Sequence, residues 1–252
     1  MLAVSYTLRP RGRGPARRNG GSDMPIILGL ATVMLLAVLF GPQVWVRRVL
    51  TRHGVDRPDL PGTGGELARH LLDEAGLRTV KVELTRDGDH YDPEECAVRL
   101  LPQHHDGRSV AAVAVAAHEV SHAIQHARGE PAFTRRFELV KNVIWIDRLA
   151  SGILILAPIV FLVVKAPILL VLQLLVGLLL FSIRIAVHVV TLPVEFDASF
   201  AKALPVLERG RYLAAGDMPA ARSVLNAAAW TYVAAALATL FDVARWLRVL
   251  RF

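Results

Sequence analysis

The 252-residue chain has one cysteine, Cys96. An internal disulfide is therefore excluded, and nothing marks an oxidising compartment. The thiol is expected at a half-buried strand position. Charge is missing from long stretches. Pro25–Val46 carries none, and between Leu149 and Ile183 the only charge is Lys165. With 54% hydrophobic residues and a mean hydropathy of +0.42, these runs exclude an ordinary soluble domain. A dominant field of one sign is lacking as well. Residues 1–23 hold five of the arginines and one aspartate, but elsewhere the charges are mixed in sign, so the net +7 is not the profile of a nucleic-acid-binding protein.

Glycine and proline are absent from Ser109 to Gln125. This Ala-rich run reads as a helix, with Ser109 as N-cap and Gly129 and Pro131 as the stop. It contains H-E-x-x-H: His118, Glu119 and His122. Residues four apart share a helix face, so both imidazoles can reach one ion. Two neutral nitrogen ligands suit zinc, and Glu119 is placed as the base for a water at that ion.

A catalytic site needs a third protein ligand. His126 is excluded, because on a continuous helix it lies about 12 Å along the axis from His118. Glu195 and Asp197, in Leu192-Pro-Val-Glu-Phe-Asp-Ala-Ser199, are the candidates. Pro193 is expected in the first turn of a helix there. Two spans between the histidines and Glu195 return the chain to the starting side. If Glu195 is the ligand, Asp197 is free to hold a ligand histidine by its second nitrogen. The adjacent His104 and His105 are expected to be solvated.

Taken in order, residues 1–23 read as a disordered extension, with Met24 a plausible native start, and 24–48 as a first transmembrane helix. Residues 49–141 form the catalytic part. It has a capping box at Thr63–Glu66 opening a helix that Gly76 ends, a strand over Arg78–Leu84, a turn at Asp87–Asp89 and a strand near Ala97–Leu101. Residues 142–191 form a transmembrane hairpin turning at Lys165–Pro167, with Asp147 at its start and Arg184 and His188 near its end. Residues 192–226 carry the third ligand. Residues 227–252 hold a fourth span, with Asp242 and Arg245 near its far end. The fold class expected is mainly α, a multi-span helical membrane protein with a small α+β zincin-like catalytic part.

At this point the chain resembles the bacterial YugP-like neutral zinc metallopeptidases. The resemblance covers most of Met24–Leu250. It rests on the Gly64–Leu77 helix, His90-Tyr-Asp-Pro93, Gly107-Arg-Ser-Val-Ala-Ala112, Ala116-Ala-His-Glu-Val120, Ala123-Ile-Gln-His126, Leu192–Ser199, Val224-Leu-Asn-Ala-Ala-Ala229 and Thr231-Tyr-Val-Ala-Ala235. It implies Zn2+ on His118, His122 and a carboxylate falling at Glu195, embedding in a bacterial plasma membrane, and proteolysis. Ser121 stands where glycine is expected. Phe200 and Lys202 replace a more basic stretch, away from the predicted ligands.

The function expected is a membrane-embedded zinc-dependent endopeptidase. Glu119 is the general base, and Tyr232, His90 and Tyr91 are candidate oxyanion donors. The partners are a protein or peptide substrate, membrane proteins included, and the lipid bilayer. The substrate is expected to add as a strand beside Ala97–Leu101. The rival readings are a non-proteolytic membrane metal-binding protein and a non-haem iron enzyme with two histidines and one carboxylate. Arginines at 47, 48 and 52 nearly balance those at 245, 248 and 251; a start at Met24 favours a cytosolic active site, whereas the arginines of residues 1–23, where these are translated, favour the opposite orientation. Substrate identity and oligomeric state are not encoded in any readable pattern.

Overall fold

A computed structural model describes residues 23–231 and 233. The expected disorder of the first residues, most of the fourth span, Tyr232, Asp242 and Arg245 lie outside the described residues. So do several side chains of the long helices, among them Asp147, Arg184 and His188. The chain divides into two units, Met1–Ala37 and Val38–Phe252. The described part of the first unit is helical. The second unit holds the sheet and, among the described residues, all of the buried apolar core.

The protein is mainly helical with one small sheet. Helix α1 (Asp23–His53) ends in Arg52 and His53. Helix α2 (Gly64–Glu74) starts on a capping box, with Thr63 Oγ1 accepting from Glu66 N and Glu66 Oε2 accepting from Thr63 N. Leu71 and Leu72 are buried on its inner face, and Leu67 packs beside them. Gly76, at φ +74°, turns the chain away.

Three strands come next: β1 (Lys81–Leu84), β2 (His90–Asp92) and β3 (Ala97–Leu100). The order is β1-β3-β2, with β1 parallel and β2 antiparallel to β3. The first strand is shorter than expected, and β2 forms in a stretch where no strand was expected. Because β3 is central, it has no free edge for an added strand. The expected docking of substrate beside Ala97–Leu101 is therefore incorrect, and the sheet's two edges belong to β1 and β2. Cys96 is exposed at φ +48°, in the turn one residue before β3, and not half-buried in a strand.

After the short α3 (Pro102–His105) comes α4 (Val110–Ala127). Ser109 caps α4 as expected, its hydroxyl accepting from Ala112 N at 3.0 Å. This helix is buried nearly all round, and it packs on α2, α3, β2, β3 and the segments after α6. Its many alanines let those neighbours come close. Gly64 shows how close: a methyl there would overlap the His104 carbonyl oxygen and lie 2.8 Å from that of Ala112.

Helices α5 (Pro131–Val164) and α6 (Pro167–Phe196) pack on each other and turn at Lys165, which sits at φ +51°. Ile155, Ile159, Val163, Ile168, Leu172, Leu175 and Leu179 are exposed on this pair. Among the described residues no single helix by itself is long and apolar enough to cross a membrane. One bent pair, Ile26–Val38 with Phe40–His53, is so by length and composition.

Pro193 does not open a new helix. It lies inside α6, which runs on into a π-helical turn (Asp197–Ala203) and then α7 (Leu204–Arg209). Burial explains the continuity. Thr191, Val194, Glu195, Ala198 and Ser199 are buried, and one unbroken run keeps them on a common inner face. A 3-10 turn (Ala215–Asp217) leads into helical residues 218–231.

Candidate metal centre

α4 delivers His118 and His122 on one face, and the end of α6 delivers Glu195 to the same place. His118 Nε2 lies 3.1 Å from Glu195 Oε2, and His122 Nε2 lies 3.4 Å from that same oxygen. One ligand atom from each residue falls within 4.8 Å of the others, and all three residues are buried. The two imidazoles meet edge to face, with centroids 4.7 Å apart.

The outer nitrogens decide what the inner ones can do. His122 Nδ1 lies 2.8 Å from Gln125 Oε1. Gln125 Nε2 donates to Val194 O at 3.1 Å and to Asp197 Oδ2 at 2.7 Å. The Gln125 oxygen is thus left as acceptor, and His122 must donate from Nδ1. Ser199 Oγ donates its one proton to Leu225 O at 3.2 Å, so at 3.1 Å from His118 Nδ1 it can only accept. In their neutral forms both rings therefore carry the Nε2 lone pair, and both lone pairs face one carboxylate oxygen. Three lone pairs converging in a buried space repel one another unless a positive centre lies among them, either a proton or a metal ion. The donor set of two imidazoles and one carboxylate fits zinc.

The electrostatics agree. Burial would lower the His118 pKa, but the Glu195 hydrogen bond and the Glu119 and Glu195 charges outweigh it and raise it. Burial likewise opposes ionisation of Glu195. The His122 charge, the hydrogen bonds from both histidines and the Arg136 charge reverse that and hold its carboxyl well below the usual range. Burial raises the Glu119 carboxyl above its ordinary value.

Glu119 lines a cleft of about 650 Å³ with His118, His122 and Glu195. Its walls are largely apolar: Leu50, Val115, Phe133, Phe137 and Val140. His90, Tyr91 and Asp92 of β2 form another side, so one of the two edge strands borders the site.

Other predicted residues fall elsewhere. Asp197 is not among the converging ligand atoms, and its hydrogen-bonded link to His122 runs through Gln125. Lys202, expected away from the ligands, ion-pairs with Asp197 and lies 3.1 Å from Glu130. His126, excluded as a ligand, bonds Tyr91 OH through Nδ1 at 2.9 Å. That bond occupies Tyr91, while His90 Nδ1 lies on Gly88 O at 2.8 Å. His104 is buried, not solvated: Asp89 Oδ2 lies 2.8 Å from its Nδ1. The turn carrying Asp89 places a carboxylate over the ring, which sequence alone did not suggest. Sequence reasoning also missed three supports of the site. Gln125 had a readable signal, a polar residue three positions after His122 on an otherwise apolar helix. Ser199 lay inside a quoted motif without an assigned role. Arg136 had no signal at all.

A buried H-E-x-x-H helix, backed by a small sheet and met by a carboxylate from a later helix, defines a candidate divalent-metal site of the metallopeptidase kind. Residues 27–251 match the family described as "Putative neutral zinc metallopeptidase", and the chain belongs to that family. It is similar to the "Putative membrane protease YugP" of Bacillus subtilis (strain 168). The two are 36% identical over 221 residues, which is 86% of this chain and 94% of that protein. No solved structure matches the chain.

Proposed function

We propose that this protein is a membrane-embedded zinc endopeptidase, with His118, His122 and Glu195 holding the ion and Glu119 as general base. The observation that carries the reading is the convergence of two Nε2 lone pairs and Glu195 Oε2 on one buried point. When bound there, zinc supplies Lewis acidity towards a water and a peptide carbonyl. Glu119 takes a proton from the attacking water and passes it to the departing amine. Its raised proton affinity suits both halves of that transfer. The free edge of β2 offers backbone hydrogen bonds to an extended substrate, and the apolar walls accept side chains beside the scissile bond. His90 is the better placed of the two described oxyanion candidates, since Tyr91 OH is engaged by His126.

The organisation proposed is an N-terminal extension over 1–23, a first span over 24–48 and the catalytic part over 49–141. A hairpin over 142–191, the carboxylate segment over 192–226 and a last span over 227–252 complete it. The uncharged runs, the apolar side chains exposed on α5 and α6, and the name of the B. subtilis relative support membrane embedding. A cytosolic active site is the orientation proposed, with Arg47, Arg48 and Arg52 on the inner side of the first span.

The test is digestion of an unstructured polypeptide such as casein by the full chain in detergent. The protein should cut, lose activity to a chelator and regain it with zinc. Glu119→Gln should keep the metal and lose at least about 100-fold in rate. A Glu119→Gln variant that cuts like the parent, or a parent that copurifies with iron and does not cut, sinks the proposal.

A further inference from the structure

Glu195 has two oxygens with different neighbours. Oε2 faces both ligand imidazoles, whereas Oε1 faces Arg136, whose Nη1 lies 3.0 Å away. The contact is an ion pair by distance and does not align as a hydrogen bond. Arg136 comes from the start of α5, where Phe133, Arg136, Phe137 and Val140 line the cleft at helical spacing. Its side chain is mostly buried, with its guanidinium carbon 6.0 Å from the Phe133 ring centroid. A carboxylate free at both oxygens can close on a zinc ion through both of them. That would add a fifth ligand atom to a four-coordinate ion and crowd the position that the water of a catalytic site must keep.

We propose that Arg136 is a positioning residue: it holds Glu195 Oε1, so that the carboxylate offers only Oε2 towards His118 and His122. The inference rests on the metal-site reading above. It adds that the number of oxygens offered is set by a residue of α5 with no place in the H-E-x-x-H motif. Charge on Arg136 also offsets that of Glu195, which is a buried anion in the metal-free protein.

The test uses the full chain in detergent with Arg136→Gln and Arg136→Lys. Zinc affinity is read by competition with a chromophoric chelator, and ligand number by the visible absorption of the cobalt(II)-substituted protein. Folding of each variant is checked by circular dichroism. Arg136→Gln should weaken zinc binding about 10–100-fold, as loss of a group that orients a metal ligand does, and the cobalt band should lose intensity as a fifth ligand enters. Arg136→Lys keeps the charge without the planar fork. It should bind zinc more tightly than Arg136→Gln and still show an altered cobalt band. Should Arg136→Gln fail to fold, Arg136→Lys decides. Either folded variant with the parent's zinc affinity and cobalt spectrum overturns the role of Arg136. A parent protein that takes up neither metal, or whose cobalt spectrum survives His118→Ala, overturns instead the metal-site reading beneath it.

Discussion

Gln125 donates from its amide nitrogen to Asp197 Oδ2 at 2.7 Å, and through this bond Asp197 is joined to His122 by hydrogen bonding. The carboxylate fixes which way the amide points, and the amide oxygen fixes which nitrogen of His122 carries the proton. A flipped amide would present NH2 to the ring and turn its lone pair away from the centre. Partners of this kind, one bond removed from a metal, typically account for about 10–100-fold in affinity.

Gln125→Leu should therefore weaken zinc binding about 10–100-fold, and Asp197→Asn should do so less. Because the two act in series, the double variant should bind no more weakly than Gln125→Leu alone. Chelator competition on the three proteins checks this. Fully additive losses would show that Asp197 acts on the site by another route.

Gly64 makes a separate prediction about packing. Alanine ordinarily favours a helix by up to about 1 kcal/mol over glycine. At Gly64 the added methyl meets the backbone carbonyls of His104 and Ala112, which cannot move without shifting α3 and α4. Gly64→Ala should therefore destabilise by about 1–3 kcal/mol or more. Gly152, inside α5, has no atom of the described residues within 4 Å of the equivalent methyl, so Gly152→Ala should be neutral or stabilising. Denaturant melts of both variants test the contrast, and equal behaviour would contradict the close approach of α2 to α4.

Acid sensitivity should have a contribution from Asp92, beside the cleft. Burial works against its charge. Yet Oδ1 accepts from Glu94 N at 2.9 Å and Glu95 N at 3.2 Å, and Arg99 donates to Oδ2 at 2.5 Å. The net effect lowers its pKa below the ordinary 3.8. A carboxyl depressed by folding adds stability that is fully present above 3.8 and fades as the pH falls through the folded value. Asp92→Asn should cost about 1–3 kcal/mol at neutral pH and flatten the loss of stability below about pH 4. An unchanged acid limb would remove Asp92 from the explanation.

Much of this fold was readable because its signals are local. Ser109, the gap in glycine and proline, and the Thr63–Glu66 box act within one helical turn, and each forms the element expected of it. The convergence of Glu195 with the histidines was readable from topology, since two long apolar runs in succession form a hairpin that returns the chain to the end it left. Residues whose surroundings come from distant segments were not readable. His104 looks like a loop histidine until the Asp89 turn closes over it. Pro193 looks like a helix start until the buried face of α6 carries the helix past it. Arg136 lies in an unremarkable Thr-Arg-Arg-Phe run, and only the pairing of α5 with α6 brings it to Glu195.

The most direct measurement is zinc-edge X-ray absorption on the purified full chain and on Glu195→Ala. The parent should hold one zinc per chain, with two imidazole nitrogens and protein oxygen in its ligand shell. Glu195→Ala should lose the metal or lose one oxygen ligand while keeping both imidazoles. A parent shell with fewer than two imidazoles, or a shell unaltered by Glu195→Ala, would contradict a centre built from His118, His122 and Glu195.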